Sequence, residues 1–264
     1  MIKALFFDLD GTLLNGEGNL SERTKEVLWQ CKKAGIRLFI ATARPPFAPE
    51  RMPWREETMA LFDGALYCNG GQIDVAGQKY YNPVPQRVVR DVVKIALRYE
   101  GFNGVLQLEQ YKNAFIRPEF SWESNQATLE EAKALRTLKM LLFYGSFHDT
   151  TKLIDAALLE EILAACQSKA EVYVTDLGKA IQINAAGITK GSSVAKICEI
   201  IGVMPNEIAT FGDDTNDIEM LRFSPNSFAM GNATAEVQES AAHVTHDNNQ
   251  DGIAHAITSI LKLV

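Results

Sequence analysis

Four cysteines in 264 residues, Cys31, Cys68, Cys166 and Cys198, are too few and too scattered for a disulfide framework, and no CxxC spacing offers a zinc site. Reduced thiols in a cytosolic setting are the default for such a pattern. Long apolar runs are missing as well, so no segment is expected to span a membrane. The apolar start Ile2–Phe7 meets an acid at Asp8, too early for the core of a signal peptide. A block of lysine or arginine is also absent: 26 bases stand against 33 acids, a net charge of −7, and a phosphate-backbone surface needs clustered positive charge. These absences point to a soluble cytoplasmic protein that binds neither nucleic acid nor membrane. Neither internal repeats nor low-complexity tracts are visible.

What is present is ample apolar material, 47% of the chain, and a length between one and two domains. Ile2–Phe7 is a short continuous apolar run ending abruptly in polar residues, the pattern of a strand buried on both faces. Ser21 can cap a helix over 21–34, where Val27, Leu28 and Cys31 recur at helical spacing and Gly35 stops the run. A second apolar strand, Ile36–Ala41, follows. Near the C-terminus the alternation returns, with a helix over Thr189–Ile201 closed by Gly202, a strand over Glu207–Phe211, a helix over 216–222, and further pieces at Ser227–Met230, Ala242–Thr245 and Gly252–Leu263. Strand, helix, strand with apolar strands is the signature of a parallel sheet covered by helices.

Between about Asn82 and Ala185 the rhythm changes to two longer helical stretches, 85–99 and 149–165, mixed with short aromatic strands such as Tyr111–Arg117 and Leu138–Tyr144. About a hundred residues of this kind can bury a core of their own. The expected organisation is a Rossmann-like α/β core, residues 1–82 and 186–264, with helices on both faces of a parallel sheet, and an inserted α+β domain over 83–185. One large mixed sheet is the alternative.

The chemistry-bearing residues sit at strand ends and a helix start. Asp8 and Asp10 in Asp8-Leu9-Asp10-Gly11-Thr12 follow the first strand, where open α/β sheets place their sites. In an extended chain residues two apart project to one side, so the pair would present two carboxylates that repel unless a cation or a lysine lies between them. Thr42 closes the second strand with a hydroxyl able to donate to an anion. Lys190 opens a helix against the helix dipole, a cost of about a few tenths of a kcal/mol that suggests function, and lysine plus helix N-terminus suits an anion. Asp213, Asp214 and Asp217 crowd the start of another helix, and three acids exceed what capping one helix requires.

Taken in order, Phe6-Phe7-Asp8-Leu9-Asp10-Gly11-Thr12-Leu13-Leu14, Ile40-Ala41-Thr42-Ala43-Arg44, Ile188-Thr189-Lys190-Gly191-Ser192 and Gly212-Asp213-Asp214-Thr215-Asn216-Asp217 resemble the four motifs of the haloacid dehalogenase-like (HAD) superfamily. Asn69-Gly70, Gly231-Asn232-Ala233 and Asp251-Gly252 are similar to secondary signatures of its Cof-type branch, and the position of the insertion is that of a type IIB cap.

The resemblance implies a Mg²⁺-dependent phosphatase acting on small phosphorylated metabolites, sugar phosphates first and phosphorylated cofactors behind. It implies Asp8 as nucleophile, giving an aspartyl-phosphate, and Asp10 as general acid and base. Mg²⁺ would be held by Asp8, the backbone carbonyl of Asp10 and Asp213, with Asp217 and Asp214 in support and Asp213 rather than Asp214 touching the metal. Thr42, Lys190, Arg44, Asn69, Gly70 and Asn216 would bind the phosphate or substrate, and specificity would lie in the cap. A phosphomutase or a non-catalytic phosphometabolite-binding protein are the alternatives. The aromatics Tyr111, Phe115, Trp122, Phe143 and Tyr144 are expected to form core rather than a ligand cage.

Overall fold

The strands follow from where β-branched and aromatic residues can be buried on two faces at once. In a computed structural model the described residues are 1–46, 56–110, 112–120, 127–145 and 152–264. Thirteen strands occur among them: β1 Ala4–Phe7, β2 Arg37–Ala41, β3 Gly64–Tyr67, β4 Gln72–Val75, β5 Gln78–Tyr81, β6 Phe102–Leu108, β7 Asn113–Phe115, β8 Thr137–Tyr144, β9 Ala170–Thr175, β10 Ala180–Ala185, β11 Ile208–Gly212, β12 Ser227–Ala229 and β13 His243–Val244. They form an eight-stranded sheet in the order β13-β12-β11-β1-β2-β3-β4-β5 and a five-stranded sheet in the order β7-β6-β8-β10-β9. The described residues divide into two compact units, Met1–Tyr80 with Thr189–Val264, and Tyr81–Ile188. The divisions fall a few residues from the expected 82/83 and 185/186.

In the first unit β13, β12, β11, β1, β2 and β3 run parallel, and β4 returns antiparallel to β3. Side chains alternate across the sheet, as strand geometry requires. Leu5, Phe7, Leu38 and Ile40 pack with Val27, Leu28 and Cys31 of the helix Glu22–Lys33 and with Ile253 and Ile257. Ala4, Phe6, Phe39 and Ala41 pack on the opposite face with Val194, Ile197 and Cys198 of the helix Lys190–Ile201. Both faces are thus covered by helices, the doubly wound arrangement that apolar strands demand. Ser21 caps the first of these helices by accepting from Thr24 N–H, and Gly202 closes the second at φ +68°.

The second unit carries the antiparallel sheet β6–β10. One face buries Phe102, Leu106, Met140, Leu142, Ile181 and Ile183 against Val88 and Val92 of the helix Gln86–Arg98 and Leu158 and Ile162 of the helix Ala156–Cys166. On the other face Val105, Phe115, Leu141, Phe143 and Ala180 cluster. Phe115, Phe143 and Tyr144 are therefore core, as read from sequence; Tyr111 and Trp122 lie outside the described residues.

Three elements differ most from their expected extents. The helix expected over 149–165 begins at Ala156, after Asp155 takes the N-cap position; 149–151 lie outside the described residues. Within the strand expected over Tyr111–Arg117, the described residues form strand over Asn113–Phe115, residue 111 lying outside them. The C-terminal helix is α-helical only over Gly252–His255 and widens into a π turn over Ala256–Ile260, where Thr258 Oγ1 donates back to the Ala254 carbonyl at 2.8 Å. Among the described residues no helix is long and apolar enough to cross a membrane.

Candidate active site

β1 has β2 on one side and β11 on the other, so the strand order reverses about it, and crevices at such a switch point are where open α/β sheets bind ligands. The carboxyl ends of these three strands deliver Asp8, Thr42 and Asp213. Asp8 is 5% exposed, its N–H donating to the Phe211 carbonyl at 3.0 Å across the ladder. Beyond Phe7 the chain leaves the strand and turns, with Leu13 N–H on the Asp8 carbonyl and Leu14 N–H on that of Leu9. The same-side rule for residues two apart stops there, and the two acids of the motif part company. Asp8 turns inward to Lys190, whereas the half-exposed Asp10 carboxylate is gripped by Arg44, whose Nε donates to Oδ2 at 2.7 Å and Nη2 to Oδ1. That pairing, opposed by burial and supported by the charges of Asp10 and Asp8, raises the Arg44 pKa.

Lys190 is the first residue of its helix. Thr189 caps that helix in a reciprocal pair with Ser192, each side-chain oxygen accepting the other's N–H at 3.0 Å. The lysine is 1% exposed, and its Nζ donates to Asp8 Oδ1 at 2.6 Å and Asp217 Oδ1 at 2.7 Å. Burial works against this ammonium, but the charges of Asp217 and Asp8 outweigh it and hold its pKa above the ordinary value. Gly191 is required by packing: a Cβ there would lie 2.8 Å from the Glu219 backbone carbon.

Asp8, Asp213 and Asp217 each bring a carboxylate oxygen within 4.8 Å of the others. Asp217 is already committed, its Oδ1 to Lys190 and its Oδ2 to the N–H groups of Asp213 and Asp214, both at 3.1 Å. Asp213 is pushed up to about 7 by burial and then by the charge of Asp217, against the opposing Thr12 hydrogen bond and Lys190. Asp8 is raised well above its ordinary value, by burial first, with Asp217 and Asp213 adding to it and Lys190 opposing. With all three carboxylates ionised, as a bound cation would favour, they exceed the single ammonium by two negative charges, which matches a hard divalent cation with oxygen ligands. Asp214 stands apart: its Oδ1 accepts from Thr215 N–H at 2.7 Å and caps the turn Thr215–Asp217.

Thr42 is 1% exposed and its Oγ1 accepts from Arg44 N–H at 3.0 Å, which leaves its own proton to donate. The loop after β3 is stitched to it, Asn69 N–H reaching the Thr42 carbonyl at 3.1 Å and Cys68 N–H that of Arg44 at 2.9 Å. Cys68, Asn69 and Gly70 all have positive φ, a run that bends the chain back and buries Asn69. Asn216 Nδ2 then donates to Asn69 Oδ1 at 3.1 Å, joining the loops after β3 and β11.

Two residues of this region were not among the sequence-derived site residues. Thr12 Oγ1 donates to Asp213 Oδ1 at 2.6 Å, and Asn232 Nδ2 reaches the Gly11 carbonyl at 2.9 Å. Both stand inside motifs visible in the sequence, but nothing local marks them as partners of a residue some 200 positions away. Gly11 has φ +77°, and a Cβ on it would meet Asp213 Oδ2 at 2.2 Å.

A doubly wound parallel sheet with a buried lysine–carboxylate cluster at its switch point defines an α/β enzyme whose site suits an anion and a hard cation. The chain belongs to the haloacid dehalogenase-like hydrolases, whose family model matches residues 5–257. It is 26% identical to a 5-amino-6-(5-phospho-D-ribitylamino)uracil phosphatase, YitU, of Bacillus subtilis (strain 168), over 97% of this chain and 96% of that one. It is also 26% identical to a phosphoglycolate phosphatase of Halorubrum lacusprofundi over 98% of each chain. Among solved structures, a HAD subclass IIB sugar phosphatase matches with a TM-score of 0.83 and 26% identity, covering 99% of this chain and 100% of that one.

Proposed function

We propose that the protein is a Mg²⁺-dependent phosphatase of small phosphate monoesters, sugar phosphates foremost and phosphorylated cofactors next, working through an aspartyl-phosphate on Asp8. The observation that carries this is the buried Lys190 ammonium shared by Asp8 and Asp217 beside Asp213, a grouping of three carboxylates around one ammonium. Relatives that act on a phosphorylated ribityl compound, on phosphoglycolate and on sugar phosphates support the substrate class.

Asp8 Oδ1 is held by Lys190, and no described residue hydrogen-bonds to Oδ2, which is left to attack phosphorus. As the Asp8–phosphorus bond forms, the ester P–O bond breaks and the leaving alkoxide takes a proton from Asp10. In the second half Asp10 takes a proton from the attacking water, and hydrolysis of the acyl phosphate releases inorganic phosphate and restores Asp8. Arg44 orients the Asp10 carboxylate between these steps. Lys190 and the Thr42 hydroxyl hold the phosphoryl oxygens, with Asn69, Gly70 and Asn216 lining the same loops; neutralising the transferring group is the protein's main task in this chemistry. Mg²⁺ would be held by Asp8, Asp213 and the Asp10 carbonyl, Asp217 supporting them, and would supply positive charge to the phosphoryl oxygens.

Release of inorganic phosphate from a panel of sugar phosphates, phosphoglycolate, flavin mononucleotide and pyridoxal phosphate, with and without chelator, tests the reading. Turnover is expected only with Mg²⁺, and Asp8→Asn is expected to abolish it while leaving the fold intact. Retained turnover in that variant would refute the nucleophile; chelator-insensitive turnover would refute the metal requirement.

A further inference from the structure

Asn232 has no assigned role, yet it sits where two parts of the cluster meet. Its Nδ2 donates to the Gly11 carbonyl at 2.9 Å and lies 3.5 Å from Asp213 Oδ2. Gly11 is the residue after Asp10, so the amide pins the turn that carries the Asp10 carbonyl. Thr12, one residue on, donates to the other Asp213 oxygen at 2.6 Å. The Asp213 carboxylate is therefore bracketed, Oδ1 by Thr12 and Oδ2 by Asn232, and the same two residues tie the loop after β1 to the loop after β11.

Asn232 is itself anchored. Its Oδ1 accepts from Asn248 N–H at 3.1 Å, and Asn248 Nδ2 donates to the Leu14 carbonyl at 2.8 Å. Gly231 N–H donates to the His246 carbonyl at 3.1 Å, and Gln238 Nε2 reaches the carbonyls of Gly231 and Ala233 at 3.2 and 3.1 Å. The exposed Asn232 side chain thus has three hydrogen-bond partners, with its amide aimed at the acidic cluster, more than an isolated surface asparagine needs.

We propose that Asn232 is a positioning residue for the divalent cation, holding Asp213 and the Asp10–Gly11 turn in the arrangement that binds it, with Thr12 as its counterpart on the other carboxylate oxygen. The inference rests on the metal site proposed above. Residues that orient a metal's ligands are typically worth about 10- to 100-fold in affinity. Because Asn232 is exposed, its truncation opens no core cavity, and metal-free stability is expected to change little.

The test is titration of the purified chelator-treated protein with Mg²⁺ alone, followed by calorimetry and by thermal shift. Wild type is expected to bind; Asn232→Ala is expected to bind about 10- to 100-fold more weakly with its metal-free Tm within about 2 °C of wild type. Thr12→Val is expected to weaken binding similarly and Thr12→Ser to restore it, which separates the hydroxyl from the packing of a buried side chain. Affinity of Asn232→Ala within about twofold of wild type overturns the proposal and leaves the metal site standing, as does a loss of affinity matched by a comparable loss of metal-free stability. Failure of wild type to bind Mg²⁺ overturns the metal site and this inference with it.

Discussion

Removing one negative charge from the acidic cluster is expected to stabilise the metal-free protein, and Asp213→Asn is the substitution for which the effect can be sized. The folded carboxyl titrates at about 7 against 3.8 when unperturbed, with burial as the largest cause. Between those values the folded chain retains a proton that the unfolded chain has lost, so stability falls as pH rises across the window and levels off above it. A gap of that width is worth about 4 kcal/mol at about 1.4 kcal/mol for each tenfold change in proton affinity. Asparagine carries no charge to desolvate and still offers an oxygen to the Thr12 hydroxyl. With chelator present, the variant should therefore equal wild type near the unperturbed value and exceed it by about 4 kcal/mol at about pH 8, a Tm higher by about 10 °C. Urea denaturation at a series of pH values measures both ends. Added Mg²⁺ should close the gap by stabilising wild type and not the variant. Parallel stability–pH curves for the two proteins in chelator would refute the reasoning.

Lys190→Met leaves the buried carboxylates of Asp8 and Asp217 without their shared ammonium and should cost about 3–5 kcal/mol by denaturation in chelator, part of which Asp8→Asn in the same chain should restore. Unchanged stability in the single variant would count against a buried ion pair there. Gly191→Ala forces a Cβ to within 2.8 Å of the Glu219 backbone, so a loss of about 1–3 kcal/mol is expected from displacing the helix Lys190–Ile201 against Ile218–Phe223. A neutral result would show that these helices separate freely.

The core's alternation of strand and helix was legible because parallel strands buried on two faces must be apolar throughout, and β1, β2 and β11 lie within a residue or two of their expected positions. The strand β6 was not legible. Its sequence FNGVLQL buries Asn103 and Gln107 among apolar neighbours, so neither a continuous apolar run nor clean alternation marks it. The hairpin β4–β5, half exposed and rich in polar residues, is strand only because β3 offers it an edge.

For the site, local chemistry singled out Asp8, Asp10, Thr42, Lys190 and the acids Asp213, Asp214 and Asp217, and the family resemblance added Arg44, Asn69, Gly70 and Asn216. Carboxylates after a buried strand, a lysine against a helix dipole and a crowd of acids at a helix start are departures from local rules, and those are readable in one dimension. Partnership is not. Asp213 and Asp214 are adjacent and chemically identical, and only the folded backbone shows that Asp214 spends its carboxylate on Thr215 N–H while Asp213 faces Asp8 and Asp217. Strand geometry alone would put Asp8 and Asp10 on one side, but the turn after Phe7 sends one to Lys190 and the other to Arg44. Lys190 stands 182 residues from Asp8 along the chain, and no periodicity spans that distance. Hydrogen bonds and charges act over a few ångströms, so the sequence determined which groups are available, and the tertiary structure decided which of them meet.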